Sequence, residues 1–418
     1  MSITVSNVHA VEILDSRSRP TLAVTLETDS GIHVRAGVPA GASTGTREAV
    51  ELRDGDPHRF LGQGVLKAAA SVNGEILQTL RGRSFATLTD LDQALIDLDG
   101  TENKSRLGAN AIVGVSIAAA RAFAETAGVP LWRSFVGEVN EPRMPVPHFN
   151  VINGGVHALN ELDFQEFMIA PIGAPNMAEA VRAGSEVYTA LRKILHEQGM
   201  AVGLGDEGGF APEIAQPEDA LDLLVKAIGA AGYTPGLDGI AIAMDPASSE
   251  LYHDGAYHVA GTVFSSDEMI ERYAQIVDRY PVWLLEDGLA ESDWDGWQRL
   301  TDRLQEKVEL VGDDIFCTNP KIIAEAIEKH VGNASLIKVN QIGTVTETLE
   351  AMRVARDGGY AQFVSHRSGE TEDSFIADLT VGTGAGHLKT GAPARGERVA
   401  KYNRLVEIAD SVELPYGL

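Results

Sequence analysis

The stretch Ser335-Leu336-Ile337-Lys338-Val339-Asn340-Gln341-Ile342-Gly343 decides the fold. An apolar, β-branched run of this length, closed by glycine, reads as a strand of a buried parallel sheet, yet a lysine stands in its middle. An ammonium is costly to take out of water. Such a lysine either snorkels from an edge strand or is held inside for chemistry. Its company separates the two readings, because other apolar strands in this half of the chain also end on ionisable residues.

Working outward, residues 164–171 include Glu166, and residues 201–209 run into Gly205-Asp206-Glu207-Gly208-Gly209. Ile240-Ala241-Ile242-Ala243-Met244 ends at Asp245, Val282-Trp283-Leu284-Leu285 at Glu286-Asp287, and the strand over 308–311 at Gly312-Asp313-Asp314. Beyond Lys338 come Phe363-Val364-Ser365-His366-Arg367-Ser368 and Gly386-His387-Leu388-Lys389-Thr390-Gly391. Eight such strands alternating with helices predict a closed (β/α)₈ barrel, whose sites lie at the C-terminal ends of its strands.

Upstream, Glu141-Pro142-Arg143-Met144-Pro145-Val146-Pro147 is a stiff, proline-rich connector and marks the boundary between residues 1–136 and 142–418. Before it, Val5, Val8 and Val11, then Leu22, Val24 and Leu26, alternate as a strand meander turning at Asp29-Ser30-Gly31. Gly37-Val38-Pro39-Ala40-Gly41-Ala42-Ser43-Thr44-Gly45 is either a surface linker or a lid offering N–H groups and a hydroxyl to a ligand. Helical periodicity follows over 62–128, with caps at Thr89-Asp90 and Asp99-Gly100. The first lobe is thus α+β.

Composition bounds the function. A formal net charge of −26 with no basic tract argues against nucleic acid or an anionic membrane as partner, so any anion must be met by local lysine, arginine or metal. The single cysteine, Cys317, forbids an internal disulfide and suits a reducing, cytoplasmic location. No signal peptide is read at the N-terminus. The most apolar helix, over 109–127, is rich in small residues and broken by Arg121 and Glu125, which makes it a packed helix and not a membrane span.

The strand ends then suggest chemistry. Taken singly, Asp245, Glu286 and Asp313 would each pass for a cap or a surface charge. Gathered on one rim they repel one another unless a cation sits among them, and an all-carboxylate set favours Mg²⁺ or Mn²⁺ over Zn²⁺. Lys338 and Lys389 follow on later strands. One, with its pKa lowered beside a cation in a dry site, could serve as a base, and the other could pair with a substrate carboxylate. Glu166 and Glu207 face them, and His366-Arg367-Ser368 is a string of phosphate-binding types, alternatively a structural histidine and a surface arginine. Base, acid and divalent cation together suit proton abstraction α to a carboxylate followed by loss of a β-hydroxyl.

Over nearly its whole length the chain resembles enolase (phosphopyruvate hydratase), whose superfamily is a standard instance of this arrangement. The resemblance rests on Gly41-Ala42-Ser43-Thr44-Gly45, Leu107-Gly108-Ala109-Asn110-Ala111, Asn153-Gly154-Gly155-Val156-His157 and Gln165-Glu166-Phe167-Met168. It rests equally on Gly205 to Gly209, Gly312-Asp313-Asp314, Ile337 to Gln341, Ser365 to Asp373 and Leu388-Lys389-Thr390-Gly391. It implies an α/β fold, an enolase-type modified (β/α)₈ TIM barrel with an N-terminal α+β cap domain, assembled as a homodimer or homo-octamer. The implied catalytic residues are Lys338, Glu207, Glu166 and His157. Ser43, Gln165, His366, Arg367, Ser368 and Lys389 would bind a small phosphorylated carboxylic acid, and Asp245, Glu286, Asp313 and Ser43 two Mg²⁺ ions.

The chain departs from the usual family pattern at Ser18-Arg19, Ala40, His148-Phe149 and Gly396. These departures border the lid and the start of the barrel. The alternatives are therefore a paralogue resembling carboxyphosphonoenolpyruvate synthase, acting with a phosphonate partner, and a non-catalytic binding scaffold.

Overall fold

A computed structural model describes residues 2–41 and 45–418. In the first lobe, β1 (Ile3–Leu14), β2 (Pro20–Thr28) and β3 (His33–Gly37) pair antiparallel as a meander, and β1 also carries a short edge strand, β4 (Ser84–Phe85). Val5, Val8, Leu22, Val24 and Leu26 turn inward, whereas Val11 is left 45% exposed. Helices α1 (Leu66–Ser71), α2 (Leu77–Leu80), α3 (Leu88–Asp99) and α4 (Ala109–Thr126) cover the sheet. The small residues of α4 let it lie close to β2: a Cβ on Gly114 would fall 2.5 Å from Val24. Arg121, which broke the apolar run, forks onto Asp373 at 2.7 Å and so ties the lobe to the barrel. The cap of α3 sits at Thr87, with Asp90 completing a capping box, and Gly100 closes the helix at φ 70.

The second lobe is a closed barrel in the order β5 (Val146–Asn153), β6 (Glu166–Ala170), β7 (Ala241–Asp245), β11 (Val282–Glu286), β12 (Glu309–Gly312), β13 (Ala334–Ile337), β14 (Ala361–Ser365) and β15 (His387–Lys389), which returns to β5. Between β7 and β11 a small three-stranded excursion, β8 (Tyr252–His253), β9 (Ala256–Val259) and β10 (Thr262–Phe264), leaves the barrel. The strands from β7 through β11 and on round to β5 run parallel, whereas β6 is antiparallel to both β5 and β7. Outer helices include α5 (Met177–Glu197), α6 (Pro217–Ala230), α7 (Ser266–Arg279), α8 (Trp294–Leu304), α9 (Pro320–Lys329), α10 (Val339–Ile342), α11 (Val345–Asp357), α12 (Phe375–Thr383) and α13 (Gly396–Ser411). Among the described residues no helix is long and apolar enough to cross a membrane.

Two strand assignments change. Residues 201–209 are a loop, not a strand. The strand missing from the sequence reading is β5, which begins inside the proline-rich connector and pairs Pro147 with Leu388. Prolines disguised it, since a residue without N–H argues against a central strand. The loop is nonetheless bound to β5: Phe210 donates to Val151 O at 2.9 Å and Gly209 to Asn153 Oδ1 at 3.1 Å. At Gly205 a side chain would meet Asn153 at 2.6 Å. Likewise Lys338 is not in mid-strand. β13 stops at Ile337, and Lys338 opens the single turn α10, closed by Gly343 at φ 101.

Candidate active site

Strand direction explains why the acids meet. β7 and β11 end on Asp245 and Glu286, Asp313 follows β12, Lys338 follows β13, His366 follows β14, and β15 ends on Lys389. β6 runs the other way, so its first residue, Glu166, arrives at the same rim, paired with Asp245. Glu166 and Lys338 come from strands four apart round the barrel. Glu207 reaches the rim from the loop docked on β5, where Asn150 donates to its Oε2 at 2.9 Å.

A cavity of about 20 Å³, room for one water, lies among these groups. Gln165, His157, Glu166, Glu207, Asp245, Lys338, His366, Arg367, Ser368 and Lys389 all line it. Glu286 and Asp313 stand just behind that lining, and Ser43 lies outside the described residues. A larger cavity of about 360 Å³ opens on the cap side, bordered by Arg19, Glu48, Glu51, Arg53 and Asn340. It holds none of the candidate acids or bases.

Lys389, 2% exposed, is the electrostatic centre. Its Nζ donates to Glu166 Oε2 at 2.9 Å and Glu286 Oε1 at 2.8 Å, with Asp245 Oδ2 at 3.8 Å. Burial would strip its proton, but those carboxylates hold its pKa well above the usual lysine value. Three acids against one ammonium leave excess buried negative charge. Burial first, then repulsion from Glu207 on Glu166 and from Glu286 on Asp245, push Glu166 up to about 8 and Asp245 well up, and burial with Asp313 raises Glu286 against the pull of Lys389.

Lys338 pairs with Asp313, whose other oxygen accepts from Gln341 Nε2 at 2.8 Å. Burial pulls on both charges, yet each stabilises the other: the ammonium is held above and the carboxylate below its ordinary pKa. Asp287 anchors this corner, accepting from the backbone N–H of Asp313 at 2.9 Å and of Asp314 at 3.0 Å.

On the Glu207 side, His366 Nε2 lies 3.1 Å from Glu207 and His157 Nδ1 3.8 Å. Arg398, wholly buried, contacts His366 Nδ1, which makes that nitrogen the acceptor and the ring neutral. Burial depresses His366 to about 3 and lowers His157 as well. Although burial opposes it, the donors round Glu207, His366 foremost, keep that carboxyl ionised, well below its usual range. Neither Arg398 nor Asn150 was singled out from sequence. The only hint was the Ala394-Arg395-Gly396-Glu397-Arg398 run, dense in arginine.

The acids at the barrel mouth gather in close groups. Oxygens of Glu166, Asp245 and Glu286 lie within 4.8 Å of one another, and so do those of Asp287, Asp313 and Asp314. Asp313 turns its own oxygens to Lys338 and Gln341. The donor set is all hard oxygen and buried. These residues fit a divalent cation of the Mg²⁺ class.

Comparison with known proteins agrees with this geometry. Residues 5–135 match the family model described as enolase, N-terminal domain, and residues 141–414 the one described as enolase, C-terminal TIM barrel domain. The chain is 53% identical over 411 residues to Enolase 1 of Chlorobaculum tepidum, covering 98% of this chain and 96% of that protein. Two family models spanning both lobes, a near full-length relative and a rim of acids and amines at the barrel mouth converge: the chain belongs to the enolase family.

Proposed function

We propose that this protein dehydrates 2-phospho-D-glycerate to phosphoenolpyruvate, a hydro-lyase reaction. The observation that carries the reading is that Lys338, Glu207, Lys389 and Arg367, an amine, an acid and two anion-binding cations, line one buried cavity. Lys338 takes the C2 proton, and the electron pair of that C–H bond passes into the carboxylate. Glu207, ionised at rest, first takes a proton from Glu166, and as the C3–O bond breaks the departing hydroxyl takes that proton from Glu207 and leaves as water. Lys338 begins as an ammonium held by Asp313, so it must first release a proton to solvent to serve as base, which it does more readily when Asp313 is engaged elsewhere. Glu166, pushed up to about 8, is the neighbouring carboxyl that carries a proton at neutral pH and can resupply Glu207, and His157 lies between the two, 3.9 Å and 3.8 Å from them. Lys389 receives the substrate carboxylate, while Arg367, Ser368 and His366 receive the phosphate, with Gln165 lining the floor.

Asp245, Glu286 and Asp313 would hold one Mg²⁺ and Ser43 would help hold a second, and the ions would supply charge stabilisation to the dianionic intermediate. The division into a cap over 1–136 and a barrel over 142–418, a cytoplasmic location and a homodimer or homo-octamer belong to the same reading. None of the departing positions Ser18, Arg19, Ala40, His148, Phe149 or Gly396 lines the small cavity, which favours plain hydratase chemistry over a phosphonate-using variant. The complete set of buried charges favours catalysis over a scaffold, which has no use for them.

Mixing protein, Mg²⁺ and 2-phosphoglycerate should raise the ultraviolet absorbance of the enol product, and Lys338→Ala should lower the initial rate at least about 100-fold. A flat trace from the unaltered protein, or an unchanged rate in the variant, would overturn the reading.

A further inference from the structure

We propose that Glu48 is a resident counter-anion: it occupies the fork of Arg367 and yields it to the phosphate of the ligand, which keeps the grip loose enough for product to leave. This rests on the reading of Arg367 as a phosphate ligand.

Glu48 accepts from Arg367 Nη1 at 2.9 Å through Oε2 and from Nη2 at 3.2 Å through Oε1. The side chains are only 8% and 3% exposed, so the pair is desolvated and its attraction little screened. Asn340 Oδ1 takes a further Nη1 hydrogen at 3.2 Å. A carboxylate on a guanidinium fork has the donor pattern of a phosphate on the same fork, and one pair of N–H groups cannot serve both anions.

The exchange does not strand Glu48. Its Oε1 already accepts from Gly45 N at 3.1 Å and from Gln341 Nε2 at 3.2 Å, and both donors remain when the arginine turns to a phosphate. The Gln341 amide is oriented by Thr318, whose hydroxyl donates to its Oε1 at 2.7 Å, so that the NH₂ group faces Glu48 and Asp313. One carboxylate therefore touches the phosphate-binding arginine, the residue after the 42–44 segment, and the amide that holds the partner of Lys338. Glu48 acts through Arg367 and is a positioning residue, not a catalytic one.

The test reads competitive inhibition by inorganic phosphate alongside KM for 2-phosphoglycerate. Glu48→Gln, isosteric but neutral, removes this counter-charge from Arg367, and both the phosphate Ki and KM should fall about tenfold. Glu48→Asp, which keeps the charge but retracts it by one methylene, should give a smaller fall and serves if the first variant folds poorly. Damage of a merely structural kind would raise both constants instead. A Ki that is unchanged or raised in both variants overturns the exchange, provided Arg367→Gln raises it. If Arg367→Gln leaves the phosphate Ki unchanged, the phosphate reading of Arg367 itself has failed and the inference goes with it.

Discussion

Asp92 offers a test of how the cap is seated on the barrel. This aspartate of α3 is completely buried, and its Oδ2 accepts from Thr346 N at 3.0 Å and Thr346 Oγ1 at 2.6 Å in the first turn of α11. A carboxylate at a helix N-terminus is favoured, but here burial outweighs that and the hydrogen bonds, lifting the pKa from 3.8 to about 6. The sign follows. The folded protein binds this proton more tightly than the unfolded chain, so stability is full below about pH 4 and is lost as pH rises through about 6. At about 1.4 kcal/mol per tenfold change in proton affinity, the loss above pH 7 is about 3 kcal/mol. An amide in place of the Asp92 carboxyl cannot ionise and escapes it, although its NH₂ group replaces an oxygen that accepts from Thr346 or Ser116, at about 1 kcal/mol. Asp92→Asn should therefore gain about 2 kcal/mol at pH 7.5 and lose about 1 kcal/mol at pH 4. With an unfolding entropy of roughly 2 cal/mol/K per residue, that is about 2 °C upward and about 1 °C downward in Tm. Scanning calorimetry from pH 4 to 8 in chelator-treated buffer reads both. Melting curves whose difference does not change with pH, or crosses in the opposite sense, would refute the reasoning.

Lys389→Met should destabilise the metal-free protein by about 3–5 kcal/mol, because Glu166, Asp245 and Glu286 lose their shared ammonium; added Mg²⁺ should restore part of that in a urea titration, and an unchanged midpoint without metal would contradict the charge argument. Gly184→Leu should cost about 1–3 kcal/mol by overpacking, since a Cβ there would stand 2.4 Å from the Phe149 ring that spaces α5 from β5; chemical denaturation measures it, and a neutral result would mean α5 can shift freely. Chelation followed by Mg²⁺ addition should abolish and restore the hydratase rate, whereas recovery with no divalent cation present would remove the acids from the proposed mechanism.

Apolar strands ending on acids and lysines were legible because a buried strand has to be continuously apolar, and any ionisable residue at its end stands out. Hence the strands leading to Asp245, Glu286, Asp313, His366 and Lys389 were found where β7, β11, β12, β14 and β15 lie. β5 was not legible, since Pro147 and the preceding prolines carry a connector signature, and the neighbourhood of the strand rather than its composition places it in the barrel. The segment over 201–209 failed for the complementary reason. Its apolar start and glycine-rich end imitate a strand, while the pairing it makes is a docking of loop against β5.

The order of residue types along the chain determined the barrel, the rim and the residue classes at that rim, because strand and helix periodicities and the chemistry of strand ends are local properties. Only the tertiary structure decided partnership: Lys389 with Glu166 and Glu286, Lys338 with Asp313, Arg367 with Glu48. These pairs join residues up to 319 positions apart. In a dry interior the sign and size of a charge interaction turn on separations of a few ångströms, which no pattern along the chain encodes.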